Sequence, residues 1–472
     1  MAAEPRVSES LTDALFQALL DGALPGETEG FTPSEQAEAA AFIAEAAAAR
    51  PPGQIVLKLQ SVGGEAAKRV MRMVIVNDDM PFLVDSVAAV IAGHGLTVHR
   101  LLHPIVRATR EGGKLARLGE GAPESIIYVE LDRADARGRQ DLVQGIEGAL
   151  ACVRAAVGDW RAMLEIMHRD AAAVGTTDPE NAALLTWLAD NHFTLLGHKE
   201  VAADGRCGAG LGILSGEGID LWSAEDTRGL LDALAADPRP VLTLKADRLS
   251  PVHRRVPLDV VIVRRDDGTL SVHAGLWTSA ALRSPPTEIP VIRQRLQMLD
   301  RELGFAPASH GAKALAHAIS TLPHDLLISF EETEVRQAAL TAMSLADRPR
   351  PALLLLPGAL KRHLFAFVWL PRDELTTARR QSIMKMIEEA VLSSVSNWAV
   401  ELGDGDLALI RLTLGFSGSR PLPDVEKLDR QLVDRVRGWG PAVEAELTDR
   451  VGSGRATRLA LTYLSEIGRA HV

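Results

Sequence analysis

Apolar and polar residues alternate with a period of about two in some segments of the chain and of about 3.6 in others. These two periods predict strands and helices, respectively, and the segments are interleaved. Between residues 53 and 160, strand-like runs alternate with two amphipathic helical patterns, and "LTVHRLLHPIVRATR", residues 96–110, is predicted to form one strand. The first helical pattern places four apolar residues on one face: Leu83, Val87, Val90 and Ile91. The element order β-β-α-β-β-α predicts a small antiparallel sheet covered by helices on one face, which is a ferredoxin-like α+β sandwich.

Two further segments repeat this pattern of short strands and amphipathic helices. Residues 178–330 begin with a helix that Asp178 is predicted to cap, and a hairpin is predicted to turn at Asp267-Gly268. Residues 351–416 contain two apolar strands, a helix and a hairpin that turns at 403–405. The predicted fold class is therefore α+β, with several ferredoxin-like sandwiches joined by helical segments.

Proline and glycine positions between these patterns predict the domain organisation. In chain order we predict N-terminal helices at 1–50, a first sandwich at 51–165, a middle α+β domain at 175–340, a third sandwich at 349–418 and a helical segment at 421–465. The final string "EIGRAHV", residues 466–472, back-translates to a sequence that resembles a sequencing-library adapter. We therefore expect the protein to continue beyond residue 465, and a genuine seven-residue tail is the alternative.

The composition of the chain argues against nucleic acid and membranes as binding partners. The net charge of −11 and the pI of about 5.7 argue against a partner held through nucleic-acid phosphates. No apolar run reaches the roughly 18 residues of a membrane span, and the acidic N-terminus lacks a secretory signal pattern. Cys152 and Cys207 fit neither a disulfide framework nor a metal site, so we expect reduced thiols in a cytoplasmic protein. We expect neither nucleic acid nor a membrane as partner.

The turn "NDDMPF", residues 77–82, joins a predicted strand to a predicted helix and leaves three alternatives. Asp79 lies where an N-cap belongs, because a carboxylate there accepts from backbone N–H groups and meets the positive end of the helix dipole. The same N–H groups can instead receive the carboxylate of a ligand. Acid–base catalysis is the third alternative, but no second reactive group lies at a telling spacing. We predict the cap.

Two other strings were candidates for chemistry. The string "VHRRVPLD" places His253, Arg254 and Arg255 in a row, which is either an anion site for a nucleotide or acidic metabolite, or a solvated charged edge. The string "GRCGAGLG", residues 205–212, lacks the G-x-G-x-x-G spacing of a dinucleotide site and predicts a loop. No residue is therefore predicted to be catalytic, to bind a cofactor or to bind a metal.

Longer strings carry a resemblance to a known family. "VNDDMPFLVDSV" followed by "HRLLHPIV" resembles the front of the large bacterial NAD-specific glutamate dehydrogenases. The resemblance continues, in order, through "VHRRVPLDVVIV", "GLWTSAALRSPPTEIPVIRQRL", "SHGAKALAHAISTLPHDLLI" and "FAFVWLPRDELTTARRQSI". It covers nearly the whole chain and is specific in combination.

The resemblance implies that the chain is the N-terminal regulatory and assembly region of such an enzyme. The units at 51–165, 175–340 and 349–418 would be ACT-like domains that precede a Rossmann-type catalytic domain. The full enzyme would convert L-glutamate, NAD and water to 2-oxoglutarate, ammonium and NADH, with its NAD site and catalytic lysine beyond residue 472. We expect this fragment alone to be inactive.

The implied partners are the enzyme's own catalytic domain, further copies in a homo-oligomer, and an amino-acid or nucleotide effector. A stand-alone ACT-type amino-acid sensor without enzymatic activity is the alternative. Ligand-binding ACT domains often carry Asp-x-Pro-Gly at the turn, where glycine lets a ligand approach the backbone. Phenylalanine takes that place here, which favours a structural turn at an interdomain surface. The regulatory candidates are Asn77, Asp78, Asp79, Phe82, His253, Arg254 and Arg255.

Overall fold

The computed structural model describes residues 9–62, 70–216, 220–403, 405–416, 421–436 and, apart from 445 and 449, 444–470. Within these residues, three antiparallel sheets alternate with layers of helices. The predicted α+β fold class, built from several antiparallel sheets, is confirmed. Within the described residues, every helix is either too short or too polar to span a lipid bilayer.

The first sheet belongs to the N-terminal third of the chain. Its strands are β1 (Val56–Val62), β2 (Val70–Asp78), β3 (Val98–Leu102), β4 (Ile105–Glu111), β5 (Lys114–Leu118) and β6 (Ala122–Asp132). They run in the order β1-β2-β6-β4-β5, and β3 also pairs with β6. The helices around it are α1 (Glu9–Asp21), α2 (Pro33–Ala47), α3 (Leu83–Gly93) and α4 (Ala136–Val174).

Both faces of the first sheet are buried. Successive side chains of a strand point to opposite faces, so Met73 and Ile75 pack against α3 and α4, whereas Val74 and Val76 pack against α1 and α2. The predicted apolar stripe of α3 is confirmed, because all four of its residues are at most 9% exposed. The two N-terminal helices therefore add a second helical layer to the predicted one-sided arrangement.

One strand prediction in this sheet was wrong. The string "LTVHRLLHPIVRATR" was expected to form a single strand, but it is divided into β3 and β4 at His103 and Pro104. Proline has no N–H to donate to a strand ladder, so the pairing with β6 is interrupted there. The short strand β5, which pairs with β4 across the turn at Gly112 and Gly113, was not predicted.

The second sheet follows the long helix α4. Its elements are α5 (Pro179–Trp187), β7 (Phe193–Val201), β8 (Leu211–Gly212), α6 (Ala224–Ala236), β9 (Val241–Leu249), β10 (Pro257–Arg264) and β11 (Leu270–Trp277), with the strand order β8-β7-β11-β10-β9. The predicted hairpin is confirmed, since β10 and β11 pair around Asp267 and Gly268. The predicted cap of α5 is also confirmed, because Asp178 Oδ1 accepts from the N–H of Asn181 at 3.0 Å.

A layer of helices separates the second sheet from the third. It contains α7 (Ser279–Arg283), α8 (Ile292–Glu302), α9 (His310–Ser320), α10 (His324–Ser329) and α11 (Glu332–Asp347). The third sheet has the order β12-β13-β15-β14 and is formed by β12 (Ala352–Pro357), β13 (His363–Pro371), β14 (Val395–Leu402) and β15 (Leu407–Gly415). Its outer face is covered by α12 (Thr377–Val391) and α13 (Val425–Val436), and the last described helix is α14 (Ser453–Ala470).

Some predictions fall partly outside the described residues. They are the turn at 403–405, where Asp404 is not described, the helical segment at 421–465, where 437–443, 445 and 449 are not described, and the last two residues of the 466–472 tail.

Candidate functional site

The turn between β2 and α3 differs from the prediction. Asp79 is not the N-cap, because α3 begins at Leu83 and its N-cap is Phe82. The N–H of Asp79 donates to the carbonyl of Pro123 at 3.2 Å, which holds this acid beside β6 rather than at the helix. The predicted capping role of Asp79 was therefore wrong, since the turn extends three residues further before the helix starts.

Phe82 adopts a left-handed backbone conformation with φ of 71°. For an L-residue this conformation costs about 1–2 kcal/mol, and glycine is the residue that adopts it readily. The Phe82 ring lies 5.4 Å, centroid to centroid, from the ring of His253. Phe82 thus occupies the place where a glycine would leave the backbone open, and its side chain fills that space.

The segment around His253 covers this turn. His253 also has a left-handed backbone, with φ of 65°, and its N–H donates to Ser86 Oγ at 2.9 Å. Its ring Nδ1 lies 2.8 Å from a carboxylate oxygen of Asp85. A Cβ added at Gly93 would come within 2.6 Å of the Arg255 guanidinium, so that arginine lies against the end of α3. The strings "NDDMPF" and "VHRRVPLD", which are far apart in sequence, therefore contact each other. The two left-handed residues, Phe82 and His253, both lie at this contact.

Asn77 and Asp78 are held by arginines. Asp78 accepts from Arg50 and from Arg154, each at 2.8 Å, and Arg154 also donates to the side chain of Asn77. Arg50 is 4% exposed and donates to Glu124 at 2.7 Å as well. Partial burial acts to raise the pKa of Asp78, but the bonds from the two arginines outweigh it and hold the pKa below its ordinary value. These side chains join β2 to α4 and to the segment after α2.

A second cluster of charges lies between the second sheet, α10 and the third sheet. Lys245 and Asp259 are register partners on β9 and β10, and their side chains are 2.6 Å apart. Lys245 Nζ also lies 2.7 Å from Asp325, and Arg411 of β15 lies 3.2 Å from the same carboxylate. Arg254 lines the cavity that these four residues surround, whose volume is about 370 Å³. Because Arg254 directly follows His253, the segment that contacts the turn before α3 also lines this cavity.

The electrostatics of this cluster follow from burial and pairing. Burial acts to raise the pKa of Asp325, but Lys245 and Arg411 outweigh burial and hold that pKa well below its ordinary range. Burial raises the pKa of Asp259, although Lys245 acts in the opposite direction. Burial acts to lower the pKa of Lys245, but its two aspartates outweigh burial and raise it. Asp325 is thus the most firmly ionised of the acids here.

Sequence reasoning missed this cluster, although a signal was present. Lys245 and Arg411 interrupt strands that are otherwise almost entirely apolar, "VLTLKA" and "LALIRLTL", and Asp259 does the same in "PLDVVIV". A charge inside an apolar strand pattern is rarely buried unless it is paired. The pattern indicates buried ion pairs but does not say which charges meet.

Asp170, His198 and His273 are the three residues of the described chain that meet the geometry of a metal site. The hydroxyl of Ser271 lies between them, 2.5 Å from Asp170 Oδ2, 2.9 Å from His198 Nε2 and 3.2 Å from His273 Nε2. Arg265 also lies 2.9 Å from Asp170 and would repel a cation. Burial lowers the pKa of His198 to about 3, so this histidine is neutral. The residues therefore form a buried hydrogen-bonded network that joins α4 to the second sheet.

Comparison with known proteins decides the family. Family models match residues 15–146 as the ACT1 domain of glutamate dehydrogenase, 289–348 as its helical motif 1 and 352–440 as its ACT2 domain. The chain belongs to the ACT-domain region of the bacterial NAD-specific glutamate dehydrogenases. The cavity residues thus come from different parts of this glutamate dehydrogenase region, because Asp325 lies in helical motif 1 and Arg411 in ACT2.

Three relatives are named NAD-specific glutamate dehydrogenase. The chain is 25% identical to the Halomonas elongata protein over 401 residues, which are 77% of this chain and 25% of the relative. It is 27% identical to the Pseudomonas aeruginosa protein over 425 residues, 82% of this chain and 26% of the relative. It is 23% identical to the Mycobacterium tuberculosis protein over 420 residues, 81% of this chain and 25% of the relative. The chain spans about a quarter of the length of these glutamate dehydrogenases.

Proposed function

We propose that this chain is the N-terminal regulatory and assembly region of a bacterial NAD-dependent glutamate dehydrogenase. The observation that carries the proposal is the match, in chain order, to ACT1, helical motif 1 and ACT2 of glutamate dehydrogenase. The relatives named NAD-specific glutamate dehydrogenase are longer, and the chain spans about a quarter of their length. The whole protein would convert L-glutamate, NAD and water to 2-oxoglutarate, ammonium and NADH. Hydride transfer and NAD binding would belong to the remaining length of that protein, in the cytoplasm.

The packing between domains supports a regulatory and assembly role. In the first ACT domain, Phe82 stands where ligand-binding ACT domains often carry glycine, and His253 of the next unit covers it. A contact of this kind transmits a displacement of one domain to the next, because packed interfaces shift as units. The partners we propose are the enzyme's catalytic region and further copies of the same chain.

The proposal is tested by assaying the purified chain with L-glutamate and NAD, and by reading the genomic DNA past codon 465. We expect no turnover above background, together with an open reading frame that continues for many hundreds of codons. Turnover by the chain itself would contradict a purely regulatory role. A stop codon directly after codon 465 would instead support a stand-alone amino-acid sensor.

A further inference from the structure

The charged cavity between the domains has the features of a ligand site. It lies where the second sheet, α10 of helical motif 1 and the β14 edge of ACT2 meet, and its volume is about 370 Å³. Trp398, which is 45% exposed, is part of the lining, so the cavity has a side that faces solvent. A volume of a few hundred Å³ with a few convergent polar groups is typical of small-molecule sites.

Two polar groups in the lining are incompletely hydrogen-bonded. His324 is 3% exposed, and neither of its ring nitrogens makes a hydrogen bond of normal geometry within the described residues, although the carbonyls of Ala281 and Ile319 lie near the ring. Burial lowers its pKa, outweighing Asp325 and the backbone carbonyls near the ring, so the imidazole is neutral at pH 7. Arg254 donates through Nη2 to the carbonyl of Trp277 at 2.6 Å, while its buried Nε has no partner in the described part of the chain. A buried polar group without a well-formed hydrogen bond is unfavourable, so a ligand that supplied the missing acceptor would be stabilised.

The chemistry of the lining selects the ligand. A guanidinium N–H is a donor only, and a neutral imidazole always offers one N–H, so the ligand must present acceptors. Lys245 and Arg411 also line the cavity but are paired with Asp259 and Asp325, so the free donors are those of Arg254 and His324, and the guanidinium geometry suits a carboxylate. Glu401 also lines the cavity, and its carboxyl oxygens can accept from an ammonium group on the same ligand.

We propose that this cavity binds a small carboxylate metabolite. The proposal rests on the regulatory role proposed above, because it names the site and the chemical class of an effector. Occupancy would act on the contacts among the second sheet, helical motif 1 and ACT2, since each of the three contributes a charged residue to the lining. The backbone continues from Arg254 to His253, which carries the same displacement to the turn before α3.

The test is calorimetric titration of the purified chain with glutarate, L-glutamate and inorganic phosphate. We expect glutarate or L-glutamate to bind with a Kd of about 1 mM or tighter. Arg411→Gln and His324→Leu should each weaken binding about tenfold or more, the loss of about one charge-assisted hydrogen bond. His324 has no ion-pair partner to lose, so His324→Leu tests the site even where Arg411→Gln fails to fold.

Arg265→Gln is the matched control. Arg265, like Arg411, is an arginine paired to a buried aspartate that has other partners, but Arg265 lies outside the cavity lining. Its variant should bind as the wild type does.

Equal binding of glutarate and L-glutamate would support recognition of the carboxylates alone, and stronger binding of L-glutamate would support a role for Glu401. Absence of binding, binding of phosphate alone, or binding unchanged by both cavity variants would overturn the proposal. Because binding is measured directly, absence of binding would not bear on the dehydrogenase assignment. That assignment is tested separately by the activity assay and the genomic sequence.

Discussion

At the scale of one residue, Phe82 packs its side chain into a turn where glycine would leave the backbone open to a ligand. Its φ of 71° lies in the region that glycine prefers, while its ring contacts His253. Phe82→Ala removes the ring and keeps the backbone strain, whereas Phe82→Gly removes both. We therefore predict that Phe82→Gly is more stable than Phe82→Ala by about 1 kcal/mol, although both are less stable than wild type. The free energy of unfolding, measured by chemical denaturation, checks this order.

Ala89 provides the control for this comparison. It lies inside α3, where the backbone is right-handed, so Ala89→Gly should destabilise the protein by about 0.5–1 kcal/mol. Glycine would then be favoured over alanine at position 82 and disfavoured at position 89. Equal stability of the two Phe82 variants would contradict the argument from backbone strain.

Asp78 should contribute to stability in a way that depends on pH. Its pKa in the folded protein lies below its ordinary value, because the bonds from Arg50 and Arg154 outweigh the opposing effect of partial burial. A carboxyl with a lowered folded pKa stabilises the protein above its unfolded pKa of about 4, and that contribution is lost as the pH falls through the folded value. We predict that Asp78→Asn is less stable than wild type at pH 7 and that the difference shrinks as the pH falls below about 4. A difference that is constant from pH 7 to the acid limit of folding would contradict this.

At the scale of the element, the sequence predicts what depends on local periodicity. The stripe of α3, the cap at Asp178 and the Asp267-Gly268 hairpin all follow from spacing within a few residues, and all are confirmed. The cap at Asp79 was wrong because α3 begins only after the left-handed residue Phe82, whose ring contacts His253 of a segment far away in sequence. Local propensity carries no information about such a contact.

The ion pairs of the candidate site could not be predicted for the same reason. Lys245, Asp325 and Arg411 lie on three elements that are brought together only by the packing of two sheets on one helical layer. The sequence shows that a charge interrupts an apolar strand. Only the tertiary structure shows which opposite charge meets it.

The α3 stripe gives a prediction at this scale. Val87 is fully buried in the middle of the stripe, whereas Pro81 is exposed before the helix. Val87→Asp would bury a carboxylate in an apolar core, which should destabilise the domain by several kcal/mol, comparable with a domain's whole stability. Pro81→Ala should change stability by about 0.5 kcal/mol or less. Thermal melts of the two variants check this, and equal melting temperatures would show that the helix face is wrongly assigned.

At the scale of the molecule, α4 joins two units into one body. Its 39 residues span about 58 Å. Leu150 in its first half lies in the core shared with the first sheet, and Met167 in its second half lies in the core of the helical layer. The first core also contains Leu196 and Val260 of the second sheet, so no solvent layer separates the two units. We therefore expect the first two sheets to unfold in a single transition.

Gly158, between the two halves of α4, tests this expectation. A Cβ there would meet no heavy atom within 4 Å, so Gly158→Ala should stabilise the helix by about 0.5–1 kcal/mol and raise the single transition. Gly158→Pro should break the helix, at about 3 kcal/mol or more, and let its halves separate. Calorimetry should then show two transitions, with the first sheet unfolding apart from the second. Gly229→Pro is the control, because it breaks α6, a helix that does not continue from one sheet to the next. If Gly158→Pro melted in one transition at a lower temperature, the shared apolar core, and not the continuous helix, would be what couples the two units.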